Sequence, residues 1–258
     1  MFASALPLSA FGCAAFRGLD AWPTPIVTRV DSVPYRVRRS DRARHARIQV
    51  SVDGVEVVVP RRLPMREVEP FVAEKRRWIE RTLRRMREAE AENPPARLEH
   101  GGEVPLLGER LELAVKVEPE RVRPHVARRA GQLHLSVGEP GEQAVRDALE
   151  RWYRRRAREE VAPRLDAAAD RAGVPYSGLQ IRGQRTRWAS CSSSGAMSFN
   201  WRLLLAPAEI LDYVVEHEVC HLEVHDHSRQ FWSLLSSRCP DFRAHERWLR
   251  RHGQSLRL

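Results

Sequence analysis

A short run in the carboxyl half of the chain has the residue types and the spacing of a metal site. The run is His217-Glu218-Val219-Cys220-His221, an H-E-x-x-H pattern. Residues four apart lie on one face of a helix, so both imidazoles can bind the same ion. Glu218 lies about 100° round the helix axis from His217, beside the ion's open coordination position. The pattern therefore predicts two metal ligands and one general base on a single helical turn.

The residues around this run predict a helix that begins at Pro207 and extends to about Leu222. Proline is tolerated in the first turn of a helix. The apolar residues recur at helical spacing, and they are Ile210, Leu211, Val214, Val215, Val219 and Leu222. A fortuitous match could equally fall in a loop. We therefore interpret the run as a metal site, and not as two histidines that only pack within a helix.

A catalytic zinc ion takes three protein ligands and a water molecule, so a third ligand is needed. Several residues compete for this position, and they are His225, His227, Glu223 and the more distant Glu246. His227 follows His221 by six residues, as in the extended metzincin motif. That motif, however, has glycine where this chain has Val224, and no methionine follows residue 197 to form a Met-turn. The spacing alone leaves the third ligand open.

The composition is that of a soluble globular protein. Of the 258 residues, 42% are apolar and 30% are charged, and no apolar stretch approaches the roughly 20 residues that cross a bilayer. A net charge of +10 attracts anionic partners, although arginine supplies every cation except Lys75 and Lys116, as GC-rich genomes favour. Four scattered cysteines form neither a disulfide framework nor a CxxC zinc motif. We expect a cytoplasmic protein with no membrane segment.

Changes in pattern along the chain divide it into three regions. Residues 1–29 are expected to be a disordered extension. A secretory signal is the alternative for the apolar start, but the segment has no basic residue before Arg17 and is interrupted by Pro7, so it lacks a signal peptide's basic region. Residues 30–140 form a β-rich half with one long helix over 66–92. Residues 141–258 form the half that carries the H-E-x-x-H helix. We expect 30–250 to fold as one compact unit.

Turn residues and periodicity place the individual elements. Predicted strands cover Ala46–Val52 and Val55–Val59, with a hairpin turn at Asp53-Gly54, and further β-type stretches cover Glu103–Val117, Gln132–Val137, Leu179–Arg182 and Ala196–Leu205. A helix over Glu142–Ala172 is expected to end at Gly173. We expect an α+β fold whose catalytic half has an antiparallel sheet, with the strand Ala196–Leu205 offering a backbone edge to an extended peptide.

Further motifs accompany the H-E-x-x-H run. They are R-W-A-S-C-S at 187–192, F-N-W-R-L-L at 199–204, D-H-S at 226–228 and F-W at 231–232, and in the amino half S-D-R-A-R at 40–44, V-V-V-P at 57–60 and E-K-R-R-W-I at 74–79. Over about Val30 to Leu249 the chain resembles the YgjP-like metallopeptidase family, which is related to SprT-type zincins. The resemblance implies a zincin-like catalytic half and a zinc (Zn²⁺) site of His217, His221 and His227.

Two positions depart from the family's usual pattern. Ala189 stands where the family has glycine, and Asp226 stands where it has asparagine. Alanine does not readily adopt a positive φ, so either this position needs none or the turn is rebuilt. Asp226 adds a negative charge that is expected to bind His225 or to orient a metal ligand.

Other candidate residues carry weaker signals. Residues expected to contact substrate are Arg185, Arg187, Trp188 and Asn200, of which Trp188 also fits a core or pocket wall. Cys191 and Cys220 are interpreted as small buried hydrophobes, since histidines suffice as ligands. The basic face of the helix over 142–172 is interpreted as solvated, and it consists of Arg151, Arg154, Arg155, Arg156 and Arg158.

The sequence therefore predicts a zinc-dependent hydrolase in which Glu218 accepts a proton from the attacking water. A metallopeptidase acting on a peptide or protein is the first interpretation. The alternative is a nucleotide phosphohydrolase of the nucleoside triphosphate pyrophosphatase type, with Arg185, Arg187 and Arg202 holding phosphate. A nonenzymatic nucleic-acid-binding module with structural zinc fits least, because such a site is usually closed by four protein ligands and does not need Glu218.

Overall fold

The chain has a mixed α+β architecture, as predicted. The computed structural model describes residues 4–7, 27–30, 33–51, 54–92, 94–184 and 187–258. The strands are β1 (Ser4–Pro7), β2 (Val27–Val30), β3 (Val33–Ser40), β4 (Arg47–Ser51), β5 (Gly54–Pro60), β6 (Glu103–Leu106), β7 (Glu109–Val117), β8 (His125–Arg129), β9 (Gln132–Val137), β10 (Gly178–Arg182), β11 (Arg187–Cys191) and β12 (Ala196–Asn200). The helices are α1 (Val68–Glu92), α2 (Glu142–Ala172), α3 (Ala208–Glu223), α4 (Arg229–Arg238) and α5 (Phe242–His252).

The described residues group into two compact units. One contains 27–92 and 251–255, and the other contains 4–7, 94–250 and 256–258. We expected a change near 140 and one compact unit over 30–250, whereas this grouping places strands β6 to β9 with the H-E-x-x-H helix. Of the expected extension over 1–29, strand β1 and the first residues of β2 are described, and its other residues lie outside the described part.

Two of the sheets share one topology. The order is β2-β3-β5-β4 in the first and β6-β7-β9-β8 in the second. In each sheet the central pair is parallel and both outer pairs are antiparallel. A long helix follows each sheet, α1 after the first and α2 after the second. The two halves of the amino-terminal 170 residues are thus built to the same plan.

The unit over 27–92 has its own apolar core. Strand β5 alternates so that Val55, Val57 and Val59 are buried, and α1 covers them with Val72 and Ile79. The β4–β5 hairpin is confirmed, with Ser51 opposite Gly54, and its two turn residues lie outside the described part. Helix α1 begins at Val68 after one 3-10 turn, two residues later than predicted.

The sheet beside the predicted metal site corrects two expectations. Its order is β1-β11-β12-β10, in which β12 pairs antiparallel with β11 and parallel with β10. The sheet is therefore mixed, and β12 is a central strand without a free edge for a peptide. The strand also ends at Asn200, because the Asn200 side chain accepts a hydrogen bond from the Arg202 amide at 3.1 Å and starts a 3-10 turn over Trp201–Leu205.

Helix α2 supports this sheet and the H-E-x-x-H helix. It covers the predicted span and ends at Gly173, whose φ of 67° is the left-handed conformation that glycine adopts without strain. Its buried face includes Leu149 and Leu165, and the helix packs on α3. No helix among the described residues has both the length and the apolar character needed to cross a bilayer.

Candidate metal centre

Helix α3 carries the H-E-x-x-H residues into the interior. It begins at Ala208, directly after Pro207, and ends at Glu223. Ile210, Leu211, Val214 and Val219 are at most 1% exposed. Glu209 and Asp212 lie on the exposed side of this helix, whereas the H-E-x-x-H residues lie on its buried side. His217, Glu218 and His221 are each 0% exposed.

Three imidazole nitrogens converge at this helix. Nε2 of His217 lies 3.1 Å from Nε2 of His227 and 3.2 Å from Nε2 of His221. One nitrogen from each ring lies within 4.8 Å of both others. A tetrahedral zinc ion bound at 2.0–2.1 Å needs ligand nitrogens about 3.3 Å apart. The spacing and the neutral nitrogen donors therefore fit a single zinc ion.

The chain returns to the helix through a short connection that needs no glycine. Val224 adopts an extended conformation with φ −131°, and its amide donates to the Cys220 carbonyl at 2.9 Å. Nδ1 of His221 lies 3.0 Å from the Val224 carbonyl oxygen, which can accept its proton. With Nδ1 as the donor, Nε2 of His221 carries the lone pair that a metal ligand needs. The same connection brings His227 back to the other two histidines.

The competing candidates for the third ligand are not among the three converging groups. His225 is exposed and does not belong to the histidine cluster. Glu223 forms an ion pair with Arg238 at 2.6 Å. Glu246 forms one with Arg250 at 2.7 Å. The geometry therefore favours His227, the ligand implied by the family resemblance.

Aromatic rings form one wall of the cluster. The Phe231 ring, which is fully buried, stacks on His221 with centroids 4.3 Å apart and meets the edges of His217 and His227 at 4.8 Å. Trp232 lies 5.5 Å from His227. Both aromatic residues come from the start of α4, immediately after the connection. Their packing restricts the rotation of all three imidazoles.

The surroundings keep the three imidazoles neutral. Burial lowers the pKa of His217 well below its ordinary value, and the neighbouring histidines lower it further. Burial also lowers the pKa of His221 to about 4, and it lowers the pKa of His227. Because only neutral imidazole binds a metal, all three rings are ready to coordinate at pH 7.

Tyr213 is a neighbour of the cluster that sequence reasoning missed. Its ring centroid lies 6.0 Å from that of His217, and its hydroxyl is buried without a hydrogen-bond partner among the described residues. Burial raises the pKa of Tyr213, and the carboxylates of Glu246 and Glu218 add to this effect. A signal existed, because Tyr213 precedes His217 by four residues and thus shares its helix face.

The two cysteines near the helix lie outside the cluster. Cys191 and Cys220 are buried, and burial raises the pKa of each thiol to about 11. The Glu218 carboxylate contributes to the shift at Cys191, so strand β11 lies close to the H-E-x-x-H turn. Both thiols are protonated at pH 7. These observations favour the interpretation of both residues as small buried hydrophobes.

The four residues expected to contact substrate lie in different environments. Arg185 lies outside the described residues, and Arg187 is exposed at the start of β11. Trp188 is 2% exposed and lies in the core. The Asn200 amide donates to the carbonyl of Gln184 at 2.7 Å and to that of Arg187 at 3.1 Å. Because these bonds occupy its buried side chain, Asn200 organises backbone and is not exposed to a substrate.

The two departures from the family pattern also have structural explanations. Ala189 lies within β11 opposite Phe199, and the only non-glycine residues with positive φ in the described chain are Leu107 and Ala130. The position therefore needs no glycine. Asp226 forms no ion pair with His225 among the described residues, and its second expected role, to orient a metal ligand, stays a prediction. Its Oδ1 accepts the Ser228 amide at 3.1 Å, just before α4 begins.

Two of the five arginines on the basic face of α2 pair with acids of the same helix. Arg154 pairs with Glu150 at 2.8 Å, and Arg156 pairs with Glu159 at 3.1 Å and also with Glu160. Such i, i+3 and i, i+4 pairs are common on solvated helices. The pairing supports the interpretation of this face as solvated.

The comparisons with known proteins agree with the residues at this site. A model of the YgjP-like family, described as a metallopeptidase domain, matches residues 44–252. No curated protein matches the chain. The family match spans both compact units and all three histidines of the cluster, and a metallopeptidase domain implies a metal ion and a peptide or protein substrate. The chain therefore belongs to the YgjP-like metallopeptidase family.

Proposed function

We propose that this chain is a zinc-dependent metallopeptidase with His217, His221 and His227 as metal ligands and Glu218 as general base. The observation that carries the proposal is the convergence of three imidazoles beside Glu218, with Nε2 of His217 lying 3.1 Å from that of His227 and 3.2 Å from that of His221. Three protein ligands leave one coordination position for water or substrate, as a catalytic zinc site requires. Family membership supports a peptide or protein as the substrate.

The chain's own residues would carry the proton transfer. Zinc, when bound, lowers the pKa of water to about 7 and polarises a carbonyl group. Glu218 takes a proton from the attacking water while the oxygen of that water bonds to the carbonyl carbon. When the carbon–nitrogen bond breaks, Glu218 delivers that proton to the leaving amine. Burial of the Glu218 carboxylate keeps this exchange within the site.

Strand β11 is the best place for an extended substrate. It lies between β12 and β1 in the sheet and packs against α3. A peptide that added to the side of β11 opposite β12 would run past the helix that holds the histidines. Backbone hydrogen bonds recognise a peptide with little dependence on its side chains. This assignment replaces the edge that the sequence led us to expect on β12.

The charge distribution favours a peptide over a nucleotide. Nucleotide hydrolysis needs cations directed at phosphate. On the basic face of α2, Arg154 and Arg156 pair with glutamates and Arg158 donates to the Leu179 carbonyl, whereas Arg151 and Arg155 are exposed. Arg202 lies over the Trp201 ring at 4.7 Å. Arg187 alone of the described substrate candidates is an exposed cation. Nucleotide hydrolysis is therefore the alternative activity that the experiments below compare with peptide hydrolysis.

The Glu218→Gln variant tests the mechanism. The amide keeps the shape of the carboxylate but cannot act as a base, so peptide hydrolysis should fall at least about 100-fold while zinc content stays normal. The matched control is Glu209→Gln, which makes the same change at an exposed position of the same helix. Hydrolysis by Glu218→Gln at the rate of the control would refute the proposed base.

Parallel substrate panels test the reaction class. Zinc-loaded protein should cleave members of an internally quenched peptide library and should not hydrolyse nucleoside triphosphates. Arg187→Ala should leave the cleavage of uncharged peptides nearly unchanged. Nucleotide turnover that weakens steeply with salt and is lost in Arg187→Ala would overturn the peptidase assignment in favour of phosphate recognition.

A further inference from the structure

The chain supplies a strand of its own to the side of β11 that an extended substrate would use. Strand β1 pairs antiparallel with β11, with Ser4 opposite Cys191, Ala5 opposite Ser190 and Leu6 opposite Ala189. The other side of β11 is already paired with β12 over Ala189–Cys191. With β1 in place, both sides of β11 are paired.

Strand β1 also lies beside the helix of the metal site. Residues of β1 and α3 approach within 8 Å between Cα atoms, and β11 contacts the same helix. Since Ser4 is the residue opposite Cys191, the paired segment runs along the strand that adjoins the H-E-x-x-H turn.

The pairing has the character of a displaceable contact. It covers four residues, and its register is irregular between Leu6 and Pro7. Proline has no amide proton, so regular pairing cannot continue through Pro7 as a donor. A few backbone hydrogen bonds with a net gain of one or two kcal/mol correspond to a factor of roughly 5–30 in an equilibrium constant. A peptide of greater length can therefore compete for the same strand.

We propose that Ser4–Pro7 is a self-masking segment, which occupies the peptide-binding side of β11 and competes with substrate. The proposal rests on the proposed peptidase function, because it identifies β11 as the substrate strand. An extended peptide and β1 need the same backbone groups of β11, so they cannot bind together. The full chain is accordingly partly inhibited, and long peptides or peptides with high β-propensity displace β1 from β11.

Backbone substitution in the full chain tests the masking. Consecutive amides of a strand point to opposite sides, so one of the amides of Ala5 and Leu6 faces β11. The double variant Ala5→Pro/Leu6→Pro therefore removes a donor toward β11, whichever of the two residues supplies it. The KM for an extended peptide should fall by about 5- to 30-fold while kcat stays the same. The control, Ser9→Pro with Ala10→Pro, introduces two prolines beyond the paired register. Equal KM values for the two double variants would overturn the masking.

Hydrogen exchange supplies a readout that does not depend on activity. In the Ala5→Pro/Leu6→Pro protein, those amides of Arg187–Cys191 that face β1 should exchange at least about fivefold faster than in the unaltered chain. Equal exchange would overturn the proposal. Faster exchange in a protein that cleaves no peptide at all would instead reject the peptidase function, and masking of substrate with it, while leaving the strand pairing established.

Discussion

Replacing His227 with alanine should remove most of the stabilisation that zinc gives to the folded chain. His227 lies in the connection between α3 and α4, and its Nε2 is 3.1 Å from that of His217. The residue is exposed, whereas His217 and His221 are fully buried. The ring packs on Phe231 and Trp232, so the variant loses some stability even when metal is withheld. The effect of losing the ligand is therefore the difference between the stabilisation that zinc gives to the variant and to the unaltered chain.

The expected size follows from the binding equilibrium. At a free zinc concentration 100 times the Kd of the unaltered protein, binding stabilises the folded state by about 2.7 kcal/mol. For about 150–250 residues this raises the Tm by roughly 5–11 °C. Losing a residue that only orients a ligand lowers metal affinity about 10- to 100-fold, and losing a ligand should cost at least the larger value. The remaining gain is then about 0.4 kcal/mol, or less than about 2 °C.

Thermal unfolding at pH 7.5 measures this effect, with each protein scanned in chelator and in buffered zinc. Elemental analysis gives the zinc content of the same samples. His225→Ala is the matched control, because it removes an exposed imidazole two residues away from the same connection. Retention of the full zinc shift in His227→Ala, together with its loss in His225→Ala, would refute the choice of third ligand. A Tm that does not respond to zinc in the unaltered chain would refute the metal centre itself.

Three further predictions concern residues around the site. Asn200→Ala should lower the free energy of unfolding by about 3 kcal/mol in urea titrations, because the buried backbone groups that Asn200 binds lose their hydrogen-bond partner. Unchanged stability together with a raised KM would show instead that Asn200 contacts the substrate. Cys191 and Cys220 have thiol pKa values of about 11 where 9.0 is ordinary, so at pH 8 mass spectrometry should find alkylation about 100-fold slower in folded than in unfolded protein. Folding favours the protonated thiols, so the stability they contribute is lost as the pH rises from about 9 toward 11; equal alkylation rates would contradict this burial. Phe231→Ala should cost about 3–5 kcal/mol by calorimetry and weaken zinc binding, and a loss below about 1 kcal/mol would show that the ring does not support the histidines.

Local signals in the sequence determined the helices and the shared face of two histidines. The spacing of His217 and His221 fixes their common face as soon as a helix forms, and Pro207 marks where that helix starts. Helix α2 ends at Gly173 as predicted, because the end of the helix requires a left-handed backbone conformation and glycine adopts it without strain. These features depend on neighbours within about one helical turn, which the sequence states directly.

Tertiary structure decided which distant residues meet the helix. The choice of His227 over His225 depends on how the chain turns at Val224, and that turn is held by bonds back to α3. The central position of β12 and the burial of Asn200 depend on strand order, which a period of two residues cannot specify. Periodicity tells which face of an element is apolar, but its packing partner is chosen by the whole fold. The sequence alone thus determined that two histidines and the adjacent glutamate share one helical turn, while the folded chain decided which third histidine joins them.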